Sequence, residues 1–386
     1  MKNITTFKKI VTLFLLLFIF SGGHVLPSDS YDTVVRVAIG KGIKEARISI
    51  KSPYKIYTLY THQLLDDGER LRSSRIVPTY NGIKIGDREY KVFGIRIVCD
   101  KSGRIVINKR PFRGTVDLIR QNDLTLLIVN HIDVDEYLYG VLYHEVAPWW
   151  HYEALKAQAI AARTYALYLK SVRKDKDFDL TRDVYSQLYG GKVSERYRTT
   201  KAVEMTKGQV LTYKDRLFPS FYHATCAGST EPAVHLWNID IPPLQGNVEC
   251  PYCRMSPHDK WYKRISKRMI EDKLRKRGFN FSKIDDVRVE GQYPSKRVTE
   301  ISFWEDGRQI ERMKANEFRL LIGADAIRST NFRIVNRGDY FEFFGRGWGH
   351  GVGMCQWGAY GMAKKGFKAD EILKFYYPET EVKKIY

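Results

Sequence analysis

Between Tyr152 and Lys170 the chain carries a helix built to be buried. Leu155, Ala159, Ala162, Ala166 and Leu169 recur at spacings of four and three, the period that lines up one face of an α-helix. Alanine fills six of the thirteen positions from Ala154 to Ala166, which favours helix and lets a neighbouring backbone approach closely. Such a helix needs other layers to pack on, so the chain has to wrap a core around it. Lys156 and Arg163 are seven apart on a shared face, with Gln158 further round. Two readings of these polar groups are open, a cleft beside the helix or a solvated outer stripe.

The sequence on either side supplies those layers. From Thr33 to about Leu127 short strand-like runs such as Val34 to Ile39 and Ile95 to Cys99 alternate with turn signals at Asp67-Gly68, Asn81-Gly82 and Arg113-Gly114. Thr125 to Asn130 is one more strand, leading into a helical turn from Asp133 to Leu138. A second helix is expected at Ser266 to Arg277, with Ser266 as N-cap, Ile270 and Leu274 on one face and Gly278 at its end. Eight Lys and Arg against two acids lie between Lys263 and Arg277, either a solvated helix face or a patch for an acidic polymer. Strands follow at Asp286 to Glu290 and Thr299 to Phe303. The expected class is α+β: a β-rich part at 31–130, a core from 131–261 and 336–386 around the Ala-rich helix, an α+β insert at 262–335, and a Gly-rich C-terminal motif.

Lys2, Lys8 and Lys9 precede an apolar run from Ile10 to Phe20, broken only by Thr12, and Ser21-Gly22-Gly23 offers small residues for cleavage. Residues 1–23 therefore read as an export signal. The run falls short of the ~20 residues of a membrane-spanning helix; an uncleaved anchor extended through Val25 and Leu26 is the alternative. Lys and Arg number 64 against 44 acids, a formal charge of +20, which attracts nucleic acid, anionic membrane or an acidic wall polymer. Export removes the first, and no zinc-finger spacing or aromatic-basic RNA signature is present. The expected partner is the cell wall, with membrane contact only through an uncleaved N-terminus. The five cysteines are too few for a disulfide scaffold.

Three segments can carry chemistry. In the first, Glu145 is followed by Val146, Ala147, Pro148, Trp149 and Trp150. An apolar, aromatic wall disfavours the ionised carboxylate and raises its pKa toward the range of a neutral-pH proton donor. His144 is discounted because adjacent residues of an extended chain point apart; the alternative for Glu145 is a cap or ion pair. In the second, FEFFGRGWGHGVGMCQWGAYG at 341–361, glycine alternates at 345, 347, 349, 351 and 353, leaving Arg346, Trp348 and His350 on the other parity. One side of such a segment can press against another backbone while the other presents side chains, and Trp348, Trp357 and Tyr360 offer flat surfaces for stacking. His350 and Cys355 raise a rival, a Cys-His hydrolase, although their order and spacing match no signature. The third segment is His223 and Cys226 with Cys250-Pro251-Tyr252-Cys253. These four fit either a Cys₃His structural zinc or a disulfide from Cys226 to one of the pair. Cys99 and Cys355 read as bystanders, and His235 and His258 as surface histidines.

Taken together these stretches resemble the stage II sporulation protein D (SpoIID/LytB) family of peptidoglycan-acting proteins. The resemblance is carried by FRGTVDL (112–118), VDEYLYGVLYHEVAPWW continuing into HYEALKAQAIAARTYALYLK, DVYSQLYGG, TKGQVLTY, FYHATCAGST, PYCRMSPH, LLIGADAIRSTNF and GRGWGHGVGMCQWGAYGMAKKGFKADEILKFYYPET, in family order. It implies a lytic transglycosylase that cuts glycan strands between N-acetylmuramic acid and N-acetylglucosamine and leaves a 1,6-anhydromuramyl end, with Glu145 as the catalytic acid. Ordinary glycosidases use two carboxylates. Here one suffices, because the C6 hydroxyl of the substrate acts as nucleophile, and no cofactor is required. Lys156, Gln158, Arg163, Trp348, His350, Gln356 and Tyr360 are the expected glycan-holding residues. The family also contains amidase modifiers, so a wall-binding regulatory module is the alternative. The chain departs from the family at Trp150-His151, commonly Trp-Pro, and at Cys355, often Ser, which speaks against a thiol nucleophile.

Overall fold

In a computed structural model the protein is described over residues 32–100, 103–183 and 186–386, so the signal-like residues 1–23 lie outside the described part. The architecture is α+β with a β-rich N-terminal half. Seven strands form one sheet in the order Leu180–Thr181, Val34–Ile43, Leu126–Asp133, Thr115–Arg120, Gly94–Cys99, Tyr54–Thr58 and Leu64–Gly68. Six more, from Arg110–Phe112 to Arg88–Tyr90, form a second sheet. Both contribute to one core, in which Val35, Ile48, Ile56, Ile97 and Val116 are fully or almost fully buried. The strand Leu126–Asp133 is covered on both faces, since Ile128 belongs to that core and Leu127 and Val129 to a small cluster behind it. Asp133 at its end caps the helix Val134–Tyr139 by accepting from the Asp135 N–H.

The Ala-rich helix runs from Tyr152 to Val172. Ala159, Ala162, Ala166 and Leu169 pack into the sheet core, while Ala154, Leu155, Ala157, Ile160 and Ala161 pack into a second core shared with residues 202–253 and 352–377. The helix is thus buried on two sides, against the helices Tyr197–Met205, Gln356–Lys364 and Ala369–Tyr376 and the strand Gln209–Thr212. Methyl side chains on both flanks explain why alanine is so dense there. His151 supplies the N-cap, its Nδ1 accepting from the Glu153 N–H, in place of the helix-starting proline of the family pattern.

A third core gathers Trp261, Ile270, Val287, Phe303, Phe318 and Phe343. It belongs to two three-stranded sheets and the helices Lys267–Lys276 and Ala315–Ile322. Ser266 caps the first helix by accepting from the Met269 N–H. The strands Lys260–Ser266 and Tyr340–Arg346 pair antiparallel, so the chain leaves for this unit and returns from it on neighbouring strands. That pairing delivers residues 347–356 back to the central helix. Beyond Arg346 the alternating glycines do not continue as a strand: Gly347, Gly349, Gly351 and Gly353 have φ of +78°, +109°, +91° and +69°. The expected close approach is present all the same, a Cβ on Gly349 falling 2.7 Å from that of His223. Among the described residues no helix is long and apolar enough to cross a membrane.

Candidate active site

Glu145 ends the short helix Leu142–Glu145, and the Val146 N–H closes that turn on the Leu142 carbonyl at 3.0 Å. The following loop is pinned from outside. Arg198 donates to the carbonyls of Pro148 (2.8 Å) and Trp150 (2.9 Å) while its guanidinium lies over the Tyr152 ring. The carboxyl of Glu145 is held by the Leu188 backbone N–H and by the side chain of Gln356, the first residue of the helix Gln356–Lys364. Burial outweighs both hydrogen bonds and pushes its pKa up to about 7, and among the described residues no second carboxylate takes part. His144 turns away, its Nε2 2.7 Å from Ser194 Oγ.

Three tyrosines, the buried Tyr137 and the half-buried Tyr165 and Tyr222, lie within electrostatic reach of Glu145. Gln187 links two of them, accepting from the Tyr137 hydroxyl (3.1 Å) and donating to that of Tyr222 (2.9 Å). Sequence reasoning passed over this group; its only signal was that Gln187 stands in the DVYSQLYGG stretch. The loop after Glu145 builds an aromatic wall against the helix that Gln356 opens. Trp150 stacks on Tyr360 (centroids 4.9 Å, 18°), and Trp149 meets the Tyr360 and Trp357 rings edge-on. Trp149 is 61% exposed, so part of its indole faces solvent.

The expected glycan-holding residues divide. Gln356 and Tyr360 are at the site, and Gln158 is buried behind Gln356, accepting from its Nε2 at 3.3 Å. Lys156 is half-buried and paired to Glu153 (2.7 Å). Trp348 instead faces the inserted unit, edge-on to His258 and beneath Arg328. His350 packs with Phe221, His223 and Trp237, its Nδ1 accepting from the Val352 N–H. Arg163 is a correction. It is fully buried, donating Nε to Asp135 (2.7 Å), Nη1 to the Gln209 carbonyl (2.9 Å) and Nη2 to the Val203 carbonyl (3.2 Å). All its donors are spent inside the protein, so it braces the fold and does not reach a ligand.

The cysteine site is corrected too. Cys226, Cys250, Cys253 and Cys355 are all buried, with their sulfurs within 4.8 Å of one another. His223 stands outside the group, its Nδ1 on the Val352 carbonyl at 3.0 Å. Cys355, read as a bystander, is the fourth member, and as a fully buried thiol it is no nucleophile. Around it the helix Gln356–Lys364 lies so close to the cluster that a Cβ on Gly358 would fall 1.9 Å from Tyr376 Oη and 2.6 Å from Cys250 Sγ. Gly358→Ala is therefore expected to lower the melting temperature, although alanine is the better helix former by about 1 kcal/mol; thermal unfolding of the two proteins checks this.

A half-buried carboxyl without a carboxylate partner among the described residues, on a β-rich scaffold with an alanine-packed helix, defines a class that comparison with known proteins sharpens. A profile of the stage II sporulation protein family matches residues 122–213, which include Glu145, the central helix and Gln187. A domain of unknown function, DUF8618, matches residues 256–353 and covers the inserted unit. An uncharacterised protein of Brachyspira hyodysenteriae is 32% identical over 90% of this chain and 92% of its own length. Stage II sporulation protein D of Bacillus subtilis is 31% identical over 66% of this chain and 75% of its own. The amidase enhancer of the same bacterium is 27% identical over 83% of this chain and 49% of its own. The chain belongs to the stage II sporulation protein D family.

Proposed function

We propose that the protein acts on the bacterial cell wall as a lytic transglycosylase, cleaving peptidoglycan glycan strands with Glu145 as the single acid and base. The observation that carries this reading is the Glu145 carboxyl itself, whose pKa burial lifts to about 7 and which has no second carboxylate beside it among the described residues. Its protonated form gives its proton to the bridging oxygen as the glycosidic bond breaks. The resulting carboxylate takes the proton of the C6 hydroxyl as that oxygen closes on the anomeric carbon, which restores the acid. Leu188 N–H and Gln356 hold the carboxyl through both steps. The apolar walls keep water from competing with the hydroxyl. Incubation with glycan strands freed of stem peptides tests this: anhydromuramyl ends are expected, and strands bound but uncut would contradict it.

Trp149 serves as the sugar-facing platform of the site, because its ring is exposed while its loop is pinned by Arg198. Stacking on an indole contributes about 1 kcal/mol. Trp149→Ala is thus expected to weaken binding of an N-acetylglucosamine tetramer about fivefold, with Trp149→Phe recovering most of it and neither variant changing the melting temperature. Titration of tryptophan fluorescence and thermal unfolding supply the readouts.

The amidase enhancer among the relatives favours a second reading, a module that binds wall glycan and regulates a partner amidase. It predicts co-sedimentation with walls and stimulation of an amidase that survive Glu145→Gln.

A further inference from the structure

We infer that Cys226, Cys250, Cys253 and Cys355 hold one zinc ion as a closed tetrathiolate, and that this ion anchors Gln356, which bonds the Glu145 carboxyl. The inference stands apart from the glycan-cleaving reading. Four sulfurs converge from three distant stretches, with Cys226 Sγ and Cys253 Sγ 3.5 Å apart and every pair within 4.8 Å. Tetrahedral zinc–sulfur bonds of about 2.3 Å set the sulfurs about 3.8 Å apart, within that range. A single disulfide would use two of these sulfurs and leave two buried thiols without a purpose.

The surroundings suit thiolates. The N–H groups of Cys226 and Gly358 both point at Cys355 Sγ at 3.3 Å, and the Tyr376 hydroxyl lies 3.0 Å from Cys250 Sγ. Hydrogen bonds of this kind orient and stabilise ligating sulfurs. A separate observation concerns charge. Arg297 is 1% exposed, donates Nη2 to the Cys226 carbonyl (3.1 Å), and leaves Nε and Nη1 without hydrogen-bond partners. Glu231 reaches only to 3.8 Å of it and also serves His235 and Ser295. Uncharged thiols leave this guanidinium poorly compensated. When zinc binds, four thiol protons pass to solvent and the centre carries two negative charges, which Arg297 offsets.

Cys355 is the N-cap of the helix that opens with Gln356, and Gln356 bonds Glu145. The ion thereby fixes the start of that helix against the segments holding Cys226, Cys250 and Cys253. Four protein ligands leave no open position, so its role is to position residues.

Elemental analysis of the full chain, purified without chelator, tests the assignment. One zinc per chain is expected, with four thiols shielded from a thiol reagent until chelator is added. Reconstitution with cobalt should give the strong sulfur-to-metal absorption of a tetrahedral thiolate site, a reading that needs no variant to fold. Cys355→Ser should lower zinc affinity about tenfold or more, while His223→Ala keeps one zinc. Metal-free protein with a mass two hydrogens lighter than the all-thiol chain would overturn the proposal, as would His223→Ala losing zinc while Cys355→Ser retains it.

Discussion

Glu145→Gln is expected to abolish glycan cleavage and at the same time to make the protein more stable at alkaline pH. The first effect follows from one carboxyl carrying both proton transfers. General acid–base catalysis by one group is worth a factor of about a thousand, and among the described residues no second carboxylate stands beside Glu145 to substitute. The second effect follows from linkage. Burial lifts the Glu145 carboxyl from an ordinary 4.5 to about 7, so the folded protein holds a proton that the unfolded chain has released. Stability therefore falls as pH rises from about 4.5 to about 7 and is level above that; the loss amounts to about 3 kcal/mol. Glutamine keeps an acceptor for the Leu188 N–H and carries no charge. At pH 8 the variant should melt about 5 °C higher than the parent, and near pH 4 the two should coincide. Melting curves across this range, beside the loss of product, separate a removed catalytic acid from a damaged fold. Activity of the parent should fall as pH rises above about 7, because the donor form is lost.

Arg163→Ala is expected to be among the most damaging single changes in the chain. Its removal leaves Asp135 buried with only the Tyr386 hydroxyl, at 2.9 Å, against the freed charge. Breaking a buried ion pair from one side costs about 3–5 kcal/mol, and the carbonyls of Val203 and Gln209 lose their donors as well. A fall in melting temperature of about 10 °C is the expected result, against no change if Arg163 touched only substrate. Replacing Asp135 and Arg163 together by apolar residues should recover part of the loss, which a double-mutant cycle in urea unfolding measures.

Periodicity and turn chemistry made much of this fold legible. The strands at Val34, Gly94 and Leu126, the capped helix after Ser266 and the alanine helix all follow from local pattern. What local pattern could not say was how many sides of the alanine helix are covered, because the second covering layer comes from distant residues, from Ala202 onward. Arg163 illustrates the limit: its spacing from Lys156 puts both on one face, but its partner Asp135 lies 28 residues back on another helix. The motif around Glu145 was legible because Val146 to Trp150 are its chain neighbours, whereas Leu188 and Gln356, which bond its carboxyl, are not. Gln187 and Tyr222 are far from it in sequence and close only in the fold. Cys226, Cys250 and Cys253 do converge, but the fourth member was missed for the same reason in reverse. His223 was chosen as a sequence neighbour of Cys226, whereas Cys355, 129 residues away, is the one that arrives. Strand pairing of Tyr222–His223 with Met354–Cys355 accomplishes this, and no spacing rule reports it.

The central claim, that one carboxyl cuts the glycan with the sugar's own hydroxyl as nucleophile, is tested most directly by digesting glycan strands in heavy-oxygen water and weighing the new chain ends. The account predicts anhydromuramyl ends carrying no heavy oxygen, formed by the parent protein and absent with Glu145→Gln. Reducing ends that carry the label would show that water attacks, and would contradict it.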